Sequence, residues 1–296
     1  MHESILGYKK ARYAWLALLL TLISCLLYWT QRGPQPANGG TWQGYVLGTA
    51  GALLIVWLSA LGVRKRRYRS AVGSLQGWAS AHVYLGVALV VVATLHCAAQ
   101  FGWNVHTLAY VLMCAVIASG LFGLFAYLRF PRLLARNRAD RARDDLFAEL
   151  NELNELGRSI SQLCDPDVRI VTDSAISRTT VGGGLLGQLC GLDHSQILLR
   201  KSENSSTAAV PVANRDQRAA VEFVARRIPR ANRQGEAERL QHLLAILCRR
   251  QTLLRQLRRD IQLQGWLQLW LYVHVPLTVA LLVALALHIV AVFFFW

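Results

Sequence analysis

The chain has 296 residues, of which 54% are apolar, and a formal net charge of +15. Five apolar runs of membrane-crossing length exclude a soluble enzyme and a disordered chain. The basic excess also does not indicate nucleic acid, because it sits on alternating loops between those runs, as a membrane topology requires.

In chain order the runs are Tyr13–Thr30, Gln43–Val63, Trp78–Gln100, Thr107–Leu128 and Leu263–Trp296. Each can cross a hydrocarbon core of about 30 Å at about 1.5 Å per helical residue. The expected fold is all-α, a polytopic membrane protein with five transmembrane helices. Lys9, Lys10 and Arg12 precede the first run, Arg32 follows it, and "RKRRYR" follows the second. Basic residues are then absent until the long polar segment before the fifth. The positive-inside rule puts the amino terminus in the cytoplasm, "QRGPQPANGG" outside, the polar segment in the cytoplasm and Trp296 outside. The first run has no small-x-small cleavage site and reads as an uncleaved anchor, so residues 1–41 form an anchor and external loop.

The polar segment, residues 130–262, begins where Pro131 is expected to loosen a helix. Leu146, Leu150, Leu153, Ile160 and Leu163 recur at near-heptad spacing, as do Leu240, Leu243, Leu247, Leu254, Leu257 and Ile261. Two such stripes predict an antiparallel helical hairpin standing off the membrane. Between them the sequence predicts a small mixed insert, with a strand at "DVRIVTD" and a turn at "KSENSST". Gly182, Gly184 and Gly187 match GxGxxG, but no strand runs into them and the insert is too small for a doubly wound sheet. They read as a turn or packing loop. None of the six cysteines forms a CxxC pair, so zinc, iron–sulfur and covalent haem attachment lack their ligand spacing.

Two apolar runs share one pattern. "HVYLGVALVVVATLH" runs from His82 to His96 and "HVPLTVALLVALALH" from His274 to His288, with thirteen uncharged residues between the histidines each time. A lone imidazole in a span is commonly a hydrogen-bonding residue, but that role does not call for two equal separations. A proton pathway usually adds acids, and no run contains Asp or Glu. Fourteen helical residues advance about 21 Å and end about 40° short of four full turns, so each pair lies on one helix face. Two facing helices can then ligate two haem irons about 20 Å apart. Both ligand helices run in the same direction, so the pairs are His82 with His274 and His96 with His288. Gly48 and Gly62, again fourteen apart, and Gly120 with Gly123 could admit a porphyrin edge. Ordinary helix packing also uses small residues. Arg64–Arg67, Arg129 and Arg132 could neutralise inner propionates. His106 lies too near the surface for a fourteen-residue pair and reads as an interfacial loop residue. A bond to an outer propionate, or a place in a quinone pocket, is its alternative.

Over residues 42–129 and 263–296 the chain resembles the dihaem b-type cytochromes, on its two H-x13-H pairs and on Gly48 and Gly62. Cytochrome b of the quinol-oxidising bc complexes has such histidine pairs and glycines. Ferric-reductase and NADPH-oxidase membrane domains are similar in placing histidine pairs on their third and fifth helices. The departures are a missing sixth span, a missing flavin and nicotinamide domain, no PEWY-like motif, and an insert that matches neither group. The resemblance implies two non-covalent haems b in a bacterial inner membrane, in an electron-transfer subunit working with other redox subunits such as an extracytoplasmic cytochrome, or with quinone. A stand-alone ferric or quinone reductase and a non-redox scaffold or sensor are the alternatives.

Overall fold

Inside a bilayer every backbone N–H and C=O must be satisfied within the segment, so long apolar runs become helices. The computed structural model describes residues 5–31, 39–66, 73–139, 141–200, 209–231 and 235–294. Its helices are α1 (Tyr8–Trp29), α2 (Trp42–Arg66), α3 (Leu75–Cys97), α4 (Val105–Arg138), α5 (Arg143–Ser161), α6 (Pro166–Ser177), α7 (Leu185–Cys190), α8 (Arg218–Arg227) and α9 (Glu236–Phe294). Two short strands, β1 (Gln196–Leu199) and β2 (Val210–Ala213), lie between α7 and α8. Among the described residues α1, α2, α3, α4 and α9 are long and apolar enough to cross a membrane. The protein is an all-α, multi-pass membrane protein. The chain forms two units, residues 1–126 with 269–296, and residues 127–268. Both boundaries fall inside helices, α4 and α9.

In the first unit polar side chains start helices or fold back on them. Ser74 caps α3, its hydroxyl accepting from the Gly77 N–H at 3.1 Å, and the Asn104 side chain accepts from the Thr107 N–H at 2.9 Å. Within the spans, Thr21, Ser24, Ser59, Thr94 and Thr278 donate to the carbonyl four residues earlier at 2.7–2.8 Å. Each hydroxyl thereby finds an acceptor on its own helix, and that of Thr94 also meets the Tyr110 hydroxyl of α4 at 2.9 Å. One apolar cluster joins four helices: Ile55 and Leu58 from α2, Leu89 from α3, Met113 from α4, and Leu281 and Leu285 from α9. The Tyr8 hydroxyl at the start of α1 accepts from Ser74 at 2.8 Å, holding α1 beside α3.

In the second unit the leucine stripes meet. Leu146 and Leu150 of α5 pack with Leu253, Leu254 and Leu257 of α9. Further along α5, Ile160 joins Leu240, Leu243 and Leu247. Rising numbers on α5 meet falling numbers on α9, so the hairpin is antiparallel. Leu163 departs from the stripe: it lies beyond the end of α5 and is exposed.

The insert differs from its sequence reading. "DVRIVTD" is helical, within α6. Asp165 accepts from the Asp167 N–H at 2.9 Å as an N-cap, and Pro166 occupies the first turn. Val168, Val171, Thr172 and Ala175 are then buried along one face, a helical period that overrides the strand preference of Val and Ile. The strands lie later, paired antiparallel with Gln196 opposite Ala213 and Leu199 opposite Val210. The expected turn at 201–207 lies outside the described residues. α4 continues through Pro131 to Arg138. Gly182 and Gly183 have φ of +93° and +96°, which suits glycine. The six-residue α7 follows them, so the strand–turn–helix context of a dinucleotide loop is not formed.

Charges hold this unit together. The Asp260 side chain is fully buried and accepts from Arg138 Nε at 2.6 Å and Nη2 at 3.0 Å. Arg250 is also buried and donates to Asn154 at 2.8 Å, Gln217 at 2.6 Å and Thr179 at 2.9 Å. Burial, with Arg258 and Arg158 nearby, pulls its guanidinium down to about 10, so it stays charged at neutral pH. That one side chain links α5, the loop after α6, the turn before α8, and α9.

Candidate functional site

The histidines belong to a pattern that all four bundle helices share. His82, Leu89 and His96 lie seven apart on α3, and His274, Leu281 and His288 lie seven apart on α9. Gly48, Ile55 and Gly62 repeat the spacing on α2, as do His106, Met113 and Gly120 on α4. The four middle residues, Ile55, Leu89, Met113 and Leu281, belong to the single core cluster. Seven residues advance about 10.5 Å and fall about 20° short of two turns, so the flanking residues stay on the core face. The outcome is two polar tiers with an apolar layer between them.

In the tier of His96, the rings of His96 and His288 have centroids 6.0 Å apart and planes at 85°. Their helices contribute one imidazole each. His96 Nδ1 is 2.8 Å from the Gly44 carbonyl oxygen. A carbonyl can only accept, so Nδ1 carries the proton and Nε2 keeps its lone pair. Gly48 makes this ring position possible, since a Cβ there would come within 2.6 Å of His96 Cε1. His288 Nδ1 lies 2.5 Å from His106 Nδ1.

In the other tier, His82 Nδ1 donates to the Leu58 carbonyl at 3.1 Å. The Ser119 hydroxyl donates its one hydrogen to the Val116 carbonyl at 2.8 Å, and so accepts from His274 Nδ1 at 2.7 Å. Three of the four histidines are therefore held as Nδ1–H tautomers, which leaves the Nε2 lone pair unprotonated.

The glycines have different surroundings. Gly120 lies against His274, with its absent Cβ 3.5 Å from Cε1. The space beside Gly123 is filled by the indole of Trp270, which donates to the Ser119 carbonyl at 2.9 Å and lies 5.5 Å from the His274 ring. Gly62 has nothing within 4 Å of its absent Cβ. Among the basic residues, Arg64 donates to the Gly73 carbonyl at 2.8 Å. Arg129 and Arg132 are exposed in the second unit, and Arg67 lies outside the described residues.

His106 is the residue that sequence reasoning missed. It is in the first turn of α4 rather than in a loop, and it touches His288. Its signal was available in the spacing to Met113 and Gly120, which a comparison of histidines with histidines passes over. Among the described residues no three His, Cys, Asp or Glu side chains converge as ligands of one ion. The tier of His96 does bring three imidazoles together, His96 against His288 and His288 against His106. No protein-family model, curated protein or solved structure matches this chain.

Proposed function

We propose that the protein is a dihaem cytochrome b subunit that carries electrons across a membrane. The observation that carries this reading is the His96–His288 pair. Two imidazoles bound to one iron at about 2 Å each have ring centroids about 6 Å apart, and these rings are 6.0 Å apart. The partners behind the rings fit the same reading, because carbonyls orient His96 and His82 and a hydroxyl orients His274. Bound haem supplies a one-electron iron couple. The chain's own residues supply the ligand atoms, their tautomers and an apolar surround without carboxylates, which favours low-dielectric ligation.

Without a CxxCH sequence the groups are haems b, held by His82 with His274 and by His96 with His288. Gly48 makes room for the His96 ring and Gly120 lies against that of His274. The tiers lie about 21 Å apart along the helices, enough to connect the two membrane surfaces. At the end nearer His96, Trp42, Phe101 and Trp103 are exposed, as are Phe293 and Phe294 at the end of α9. Aromatic residues beside a haem edge suit a docking redox subunit, such as an extracytoplasmic cytochrome. The other tier passes electrons to a cytoplasmic-side partner or a quinone. Loop charge supports a bacterial inner membrane orientation with the amino terminus cytoplasmic and the carboxy terminus external.

The test is a set of single replacements followed by potentiometric titration of the α-band. His96→Leu and His288→Leu should abolish the same component and spare the other, while His82→Leu and His274→Leu do the reverse. Loss of the same component by His96→Leu and His274→Leu would overturn the pairing. Steady turnover of quinol or ferric chelate by the lone chain would favour the stand-alone reductase.

A further inference from the structure

The glycine run Gly182–Gly191 has no role in the histidine tiers, yet the fold positions it closely. Gly182 and Gly183 reverse the chain, and Gln188 Nε2 donates to the Gly183 carbonyl at 2.8 Å, closing the loop onto α7. Leu189 is the leucine of α7 that is buried. It packs at Gly265 of α9, whose absent Cβ lies 3.5 Å from Leu189 Cδ2. Gln262 Nε2 donates to the Leu189 carbonyl at 2.9 Å. α7 is thus fastened to α9 at Gln262–Gly265.

Those are the residues where the apolar run of α9 opens. Asp260 is the last charged residue before it, and Trp266, Trp270 and Tyr272 follow. Tryptophan and tyrosine at the mouth of a span mark the headgroup level of a bilayer. With Leu189 turned inward, Leu185, Leu186 and Leu192 are 56%, 75% and 52% exposed. Gln188 of α7 also lines a cavity of about 370 Å³ with Arg143, Gln264 and Gln268, and with the apolar Phe147 and Ile261. Three exposed leucines together in water would be an aggregation hazard. At headgroup depth, with a polar flank, they are matched to a lipid surface.

We propose that α7 is an interfacial membrane anchor, with Leu185, Leu186 and Leu192 seated at the boundary between acyl chains and headgroups. The bilayer is the occupant because α7 is fastened to Gln262–Gly265, where the apolar run of α9 opens. α7 would tie the base of the α5–α9 hairpin to the membrane surface.

The experiment uses the full chain, with its native cysteines replaced by alanine, in nanodiscs containing phosphatidylglycerol. A spin label is placed at Leu186→Cys and, as control, at Leu163→Cys. Leu163 is 69% exposed, and it lies at the other end of α5 from Arg143, about 27 Å along the helix. Power saturation should give the Leu186 label severalfold greater preference for oxygen over a water-soluble nickel complex than the Leu163 label. Leu185→Cys should repeat it. Equal preference at the two positions would overturn the proposal. Low access to both reagents at Leu186 would also overturn it, by revealing a protein occupant.

Discussion

The two units of this chain solve the same problem with opposite means. The bundle spans contain no Asp or Glu, and hydroxyls such as Ser24, Ser59 and Thr94 bond back to carbonyls of their own helices. Specificity there rests on a few imidazoles and glycines at a fixed seven-residue spacing. The second unit uses leucine stripes and then secures them with buried charge, Asp260 with Arg138 and Arg250 with three neutral oxygens. The contrast is physical. In an apolar medium a misplaced polar group has no water to fall back on, so a small number of them define register. In water, leucine stripes tolerate slippage, and directional bonds to arginine select one arrangement.

The bundle is most sensitive at a glycine. Gly48→Val should displace the His96 ring and remove the haem of that tier entirely, because even a Cβ would come within 2.6 Å of it. Gly62→Ala, with nothing within 4 Å, should leave both haems in place. Haem content per chain after purification reads both outcomes.

A charge is the matching target in the second unit. Asp260→Ala removes the buried acceptor of Arg138, and because Arg138 itself reaches solvent it should cost about 1.5–3 kcal/mol of that unit's stability. Limited proteolysis within residues 127–268 should accelerate, while the α-band is retained. If both changed together, the two units would not be independent in the way their chemistry suggests.

The smallest expected effect is on pH. Burial raises the Asp193 carboxyl, but the Ser195 hydroxyl, the backbone N–H groups of Asp216 and Ser195, and Arg258 outweigh it and hold the group below the usual carboxylate range. A depressed folded value adds stability that is fully present above the unfolded carboxylate pKa of about 3.9. That stability is lost as pH falls through the lower folded value. Denaturation of the second unit followed from pH 6 downward should show this acid loss, and Asp193→Asn should flatten it. An unchanged acid limb in the variant would remove Asp193 from the account.

Much of this was legible in the chain. The five spans follow from apolar length, and the paired leucine stripes from their spacing. His106 was not legible from histidine spacing, because the residue fourteen positions on is Gly120, which lies in the other tier against His274. "DVRIVTD" misleads because Val and Ile favour strands, while the deciding signals are Asp165 and Pro166 just ahead of it. The Arg250 network joins Asn154, Thr179 and Gln217, far apart in sequence, so only the folded chain brings it together. Gly123 has a sequence explanation as a small residue, but its neighbour Trp270 emerges only from helix packing.

The central claim is that the two tiers hold two haems by imidazole pairs. Pyridine-haemochrome analysis of the purified full chain, with a reduced-minus-oxidised spectrum, tests it most directly. The account predicts two extractable haems b per chain and a sharp bis-imidazole α-band. A chain that purifies folded without haem, with one haem, or with thioether-linked haem would contradict it.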